Sequence, residues 1–328
     1  MNTRRTLVIA LGASALAAPL ASFAQQPPAK VPRIAFLAGG SRSADALLLE
    51  AFWQGMKERG YTEGKNIAAE YRFADGALER LPQFAAELVR LKVSVIVGPS
   101  SGVIAARKAT DTIPIVMTYG DPLAQGLIAS LARPGGNVTG LSGMALELGV
   151  KKLELLKEAF PWISRVAVLW GSTSSFDNAA LLENMKSASG ALRVALQPLK
   201  LHNLEDFEPA FLAVKNDRAD AIVVLRNPLT ATHRPRIVEF AARSRLPGMY
   251  GDGEFVEAGG LISYGVNIAD LWGRASNYVD RILKGSKPAD LPVQQPTKFE
   301  LVINMKTAKS LGITIPQTVL VRATKVIE

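Results

Sequence analysis

Twelve polar residues stand where the chain leaves short apolar, β-type runs, and from such places side chains can grip a small molecule. Ser41 and Ser43 follow the run Arg33 to Leu37, Ser100 and Ser101 follow Val93 to Val97, and Tyr119 and Asp121 follow Ile113 to Met117. In the second half of the chain the matching residues are Ser174 and Asn178, then Arg226 and Asn227, then Tyr250 and Asp252. Serines that open a helix add hydroxyls to unpaired backbone N–H groups, which together suit a carboxylate. An aspartate can pair with an ammonium group, Arg226 with an anion, and a tyrosine can stack or hydrogen-bond. One aspartate from each half plus helix N-termini suits a zwitterion such as an amino acid, although the same inventory serves other polar metabolites. Every one of these residue types also has plain structural duty. A serine caps its own helix, and Asp121, which precedes Pro122, makes a turn.

Chemistry beyond binding is poorly supplied. There is no cysteine, so a disulfide framework, a zinc–thiolate site and a cysteine nucleophile are excluded together. The two histidines, His202 and His233, lie in polar surroundings and read as surface residues. Gly39-Gly40 lacks the G-x-G-x-x-G spacing, and no Walker loop, H-E-x-x-H or nucleophile elbow occurs. We expect no catalysis, no metal and no cofactor. Asn137-Val138-Thr139 reads as a turn and not as a glycosylation acceptor.

The elements that must position the polar residues alternate between β-type runs and amphipathic helical stretches, the pattern of a parallel α/β sheet. Leu48, Phe52 and Met56 share one helical face before a stop at Gly60, and Leu81, Leu88 and Leu91 share another. The order then recurs. Arg165 to Leu169 repeats Arg33 to Leu37 at an offset of 132 residues. Pro114 with Tyr119-Gly120-Asp121 is answered by Pro247 with Tyr250-Gly251-Asp252, at offsets of 133 and 131. The repetition implies two Rossmann-like α/β lobes with parallel sheets around a central cleft. We place the N-terminal lobe at 32–140 and the C-terminal lobe at 141–265. Residues 266–328, with a helix from Ile268 to Leu283 and a strand from Phe299 to Ile303, return across the hinge to complete both lobes. Glycines such as Gly135, Gly140, Gly143, Gly259 and Gly265 serve as hinges or as simple turns.

Residues 1–24 have the three parts of a cleavable export signal: Arg4 and Arg5, the apolar run Leu7 to Leu20, and Ser22-Phe23-Ala24. Residues 25–31 read as a polar leader. Thr3-Arg4-Arg5-Thr6-Leu7 suggests a twin-arginine route. The 328 residues carry 38 basic and 29 acidic side chains, but the excess is spread along the sequence. A nucleic-acid binder concentrates its cations, so no nucleic-acid partner is expected.

Several longer stretches resemble one bacterial family. They include Pro32 to Leu37, Phe52-Trp53-Gln54-Gly55-Met56-Lys57-Glu58-Arg59-Gly60-Tyr61, and Ser130-Leu131-Ala132-Arg133-Pro134-Gly135-Gly136-Asn137-Val138-Thr139-Gly140. Phe255 to Leu261 and Pro296 to Asn304 close the match. The chain resembles the ABC-transporter substrate-binding proteins of the type I periplasmic-binding fold, the group with tryptophan-binding-like members. The resemblance implies a periplasmic, monomeric receptor that passes a small solute to a membrane permease, without naming the solute. A sensor that presents its ligand to a membrane receptor fits the same sequence. An exported enzyme using Asp121 and Asp252 as acid and base is the third alternative.

Overall fold

The computed structural model describes residues 31–328 apart from 144, 174, 175 and 178, with backbone alone for 145–147 and 172–180. The expected export signal, the expected leader through residue 30, and the candidates Ser174 and Asn178 therefore lie outside the described residues. Pro32–Glu328 forms one compact unit.

The first lobe runs β1 (Arg33–Ala38), α1 (Ala46–Glu58), β2 (Ala68–Phe73), α2 (Leu81–Arg90), β3 (Val95–Gly98), α3 (Ser100–Ala109), β4 (Ile115–Met117) and β5 (Val138–Gly140). Its sheet is wholly parallel in the order β2-β1-β3-β4-β5. Helices cover both faces, so β1 and β3 are buried on both sides and read as continuous apolar runs. The tract read as a turn at Asn137 is instead the entry to β5. Asn137 is buried and donates Nδ2 to the carbonyls of Thr110 (3.1 Å) and Ile113 (2.9 Å).

The second lobe runs α4 (Ala145–Ala159), β6 (Arg165–Thr173), β7 (Phe176–Asp177), α5 (Ala179–Ser189), β8 (Ala195–Leu201), α6 (Phe207–Asn216) and β9 (Ala221–Val224). It continues with α7 (Pro228–Thr232), α8 (Arg234–Arg243), β10 (Gly248–Tyr250), α9 (Gly253–Glu257) and β11 (Ile262–Val266). The parallel order β8-β6-β9-β10-β11 is that of the first sheet over again. The final segment supplies α10 (Ile268–Leu283), β12 (Phe299–Asn304), α11 (Met305–Leu311), α12 (Gln317–Leu320) and β13 (Lys325–Ile327). The second sheet is not purely parallel, because β12 lies antiparallel on β11. Its cause is the chain path: β12 enters beside Val266, the cleft end of β11, and must run the other way.

Register decides how the two halves correspond. Ser94 donates to the Arg33 carbonyl and Ile96 to that of Pro114; Asp220 donates to Arg165 and Ile222 to Pro247. Pro114 and Pro247 are thus equivalent, and the same count makes Met117 the counterpart of Tyr250 and Tyr119 that of Asp252. The Tyr-Gly-Asp echo is displaced by two residues. Its two tyrosines therefore occupy different places, one past its strand and one within it.

The crossover helix α10 packs on α1 and closes the first core. Ser276 approaches Gly55 so nearly that a Cβ there would lie 2.3 Å from the serine Oγ. Phe36 stacks on Tyr71 at 5.1 Å and meets Phe52 edge-on at 5.0 Å, while Trp272 stacks on Phe36 at 6.3 Å. Burying Trp272, which is 1% exposed, contributes roughly 2–3 kcal/mol and anchors α10 against the first lobe.

Candidate functional site

The carboxyl ends of the two parallel sheets meet at a cleft. The first lobe lines it with Gly40, Asp45, Leu48, Pro99, Ser100, Ser101 and Tyr119, and the second with Arg226, Asn227, Pro228 and Ala231. Ile268 and Trp272 of α10 form a further wall. About 600 Å³ of empty space, counted out into open solvent, lies among these residues.

Each polar group reaches the cleft for a local reason. Pro99 is extended and ends β3, so α3 begins at Ser100 with its first turn facing the cleft. The Ser100 N–H is taken by the Tyr119 carbonyl at 3.0 Å, and Gln125 donates to its Oγ at 3.1 Å. Ser101 Oγ is buried and has no partner among the described residues. Asn227 caps α7 by accepting from the Thr230 N–H at 3.0 Å.

Charge is concentrated where the lobes face each other. Arg226 donates Nη1 to Asp252 Oδ2 at 2.7 Å and stands 3.8 Å from Asp45 Oδ1 across the cleft. Arg234 pairs with Glu254, and its Nη2 reaches the Ala44 carbonyl of the opposite lobe at 3.3 Å. Burial pushes the Asp45 carboxyl up; Arg226 and Arg234 pull it down only in part, and Asp252 adds to the rise. Burial raises Glu254 likewise. Burial opposes the charge of Arg226, yet Asp252, Glu254 and Asp45 together hold its guanidinium above the ordinary range. Lys152, buried on α4, is lowered to about 8 by desolvation, which Asp252 offsets in part.

Of the residues singled out in the sequence, Ser100, Ser101, Tyr119, Arg226 and Asn227 line the cleft. Asp252 sits directly behind Arg226 and also caps α9, accepting from Glu254 N–H at 3.1 Å. Four others stand elsewhere. Ser41 Oγ accepts from the Ala44 N–H at 3.1 Å, and Ser43 is exposed beside it. Asp121 caps its turn through the Ala124 N–H at 3.0 Å. Tyr250 is 1% exposed and stacks on Phe255 at 5.2 Å in the second-lobe core. The register explains Tyr250: it stands inside β10, at the place Met117 holds in β4. His233, expected at the surface, is half-buried edge-on to Phe207 at 5.6 Å.

Sequence reasoning missed Asp45, Leu48, Ile268 and Trp272. Asp45 was detectable as the first carboxylate after β1. Trp272 was not, because on the stripe Ile268, Leu271, Trp272, Ala275 it looks like any core residue.

A model of the ABC transporter substrate-binding proteins matches residues 34–327, nearly the whole described chain. The chain belongs to this family. Among solved structures, this family member resembles a conserved domain protein of Vibrio cholerae O1 biovar El Tor at 30% identity and TM-score 0.83, covering 90% of this chain and 100% of that one. It resembles a Streptococcus pneumoniae ABC domain in complex with L-Trp at 27% identity and TM-score 0.82, covering 90% and 99%. A curated relative, the tyrosine-binding protein of Clostridioides difficile strain R20291, is 25% identical over 267 residues, covering 80% of this chain and 76% of its own. No helix among the described residues is long and apolar enough to cross a membrane.

Proposed function

We propose that the chain is the exported, periplasmic solute-binding component of an ABC-type importer. Its cleft takes an amino-acid zwitterion with an apolar, preferably aromatic side chain and delivers it to a membrane permease. The observation that carries this reading is the pairing of two underused polar groups in one buried cleft. Asp45 is 5% exposed and the guanidinium that faces it, that of Arg226, stands 3.8 Å away, while Ser101 Oγ has no partner among the described residues. A buried carboxylate so weakly compensated is unfavourable unless a cation arrives, and the ligand ammonium would be that cation. Ser101 and the first turn of α3 would receive the carboxylate. Leu48, Tyr119, Ile268 and Trp272 would enclose an apolar side chain. The relatives named for tyrosine and found with L-Trp support the same class of solute. Export is supported by the three-part segment at residues 1–24.

A thermal-shift panel tests the proposal. Aromatic L-amino acids should raise the melting temperature by mass action, while sugars and dicarboxylates leave it unchanged. A rise with sugars alone would overturn it.

A further inference from the structure

Three arginines occupy the left-handed backbone conformation that glycine adopts most readily: Arg193 (φ 52°), Arg218 (φ 51°) and Arg245 (φ 52°). Each links a helix to the strand that follows it, from α5, α6 and α8 into β8, β9 and β10. A cation at a helix C-terminus is favourable by itself, but the sheet then sets these residues side by side. In the order β8-β6-β9-β10 the three lead into neighbouring strands, and Arg165 opens β6 between them. At about 4.8 Å per strand the row extends roughly 15 Å along the edge opposite the cleft. The basic residues that are dispersed in the sequence are gathered here by topology.

Arg193, Arg218 and Arg245 are exposed, and among the described residues their side chains make no ion pair. The two acids that flank Arg218 in sequence are already engaged. Asp220 accepts from the backbone N–H groups of Ser164 and Arg165 at 2.8 Å each, and Asp217 accepts from Gln197 at 2.6 Å. Trp162, three residues before Arg165, is 59% exposed in the α4–β6 connection at the same edge. An exposed indole beside a row of guanidinium groups matches the surface of an anionic bilayer: lipid phosphates meet the arginines, and the amphipathic ring sits at headgroup level. We propose that this edge of the second lobe docks on anionic lipid headgroups.

The test is sedimentation of the chain from Pro32, the compact unit, with vesicles. Phosphatidylglycerol–phosphatidylcholine vesicles are compared with phosphatidylcholine alone, at low and high salt. Binding should require phosphatidylglycerol and fall as salt rises. The triple variant Arg193→Gly, Arg218→Gly, Arg245→Gly keeps a residue suited to the left-handed backbone, so its melting temperature should hold while vesicle affinity drops about a hundredfold. Trp162→Ala should weaken binding further. Undiminished binding by the folded triple variant, equal binding to neutral vesicles, or binding to a soluble polyanion such as heparin without vesicle binding would each overturn the proposal.

Discussion

Arg226 of the second lobe holds Asp252 at 2.7 Å on its own side and stands 3.8 Å from Asp45 on the other. One guanidinium thus serves two carboxylates from two lobes, firmly on one side and loosely on the other. The firm contact positions Arg226, and the loose one leaves Asp45 short of positive charge where a solute would enter.

Replacing Asp45 should separate binding from stability. Its carboxyl is held above the ordinary value, so the folded state takes up the proton more readily than the unfolded one. Stability from this group is therefore present at low pH and is lost as pH rises through the folded pKa. At pH 7 Asp45→Asn should leave the melting temperature unchanged or slightly higher. Titration calorimetry should show at least a tenfold loss of solute affinity in the same variant.

Removing Arg226 should do the opposite to stability. Arg226→Met strands Asp252, which is 5% exposed, without its partner. Breaking such a buried pair costs about 3–5 kcal/mol, measurable by urea denaturation at pH 7. Adding Asp252→Asn should recover part of that loss, because Asp252 then carries no buried charge while Asp45 still lacks the guanidinium that faced it.

Lys152 gives a pH signature of its own. Its folded pKa, lowered to about 8, lies below the unfolded value. Between about pH 8 and 10.5 the unfolded state binds more protons, so this group makes stability rise with pH across that window. Lys152→Met removes the effect and should be the more stable protein at pH 7, by up to about 3 kcal/mol. Urea melts of both proteins from pH 7 to 10 should show the gap closing; a constant gap would contradict a buried amine with a lowered pKa.

Gly39 lies where the lobes touch. A Cβ there would stand 2.3 Å from a Leu78 methyl, 2.9 Å from Ser101 Oγ and 3.0 Å from the Pro228 ring. Gly39→Ala should therefore hinder the approach of α7 to α3 and weaken solute binding about tenfold. Leu78 can yield, so the melting temperature should change little. An unaltered dissociation constant would show that this contact does not control closure.

Apolar periodicity made most of the scaffold legible. Val95 to Val97 is buried completely, as its run of β-branched residues requires, and Leu48, Phe52 and Met56 do share the face that meets α10. The site was legible only in part. Ser100 and Arg226 follow their strands directly, so position along the chain found them. Tyr250 could not be placed without register, since a displacement of two residues decides whether a side chain stands inside its strand or beyond it. Trp272 reaches the cleft only because the chain crosses between lobes and lays α10 on α1, a consequence of topology that no local pattern contains. The antiparallel course of β12 has the same origin.

The most direct measurement is a calorimetric titration of the Pro32–Glu328 unit with L-tryptophan and L-tyrosine, set beside tryptamine and indole-3-propionate. The two analogues lack the carboxylate and the ammonium respectively. We expect saturable one-to-one binding of at least one of the amino acids. Both analogues should bind far more weakly, and Asp45→Asn should narrow the gap between the amino acid and the analogue without an ammonium. No binding of either amino acid, or analogue affinities equal to theirs, would contradict a cleft built for a zwitterion.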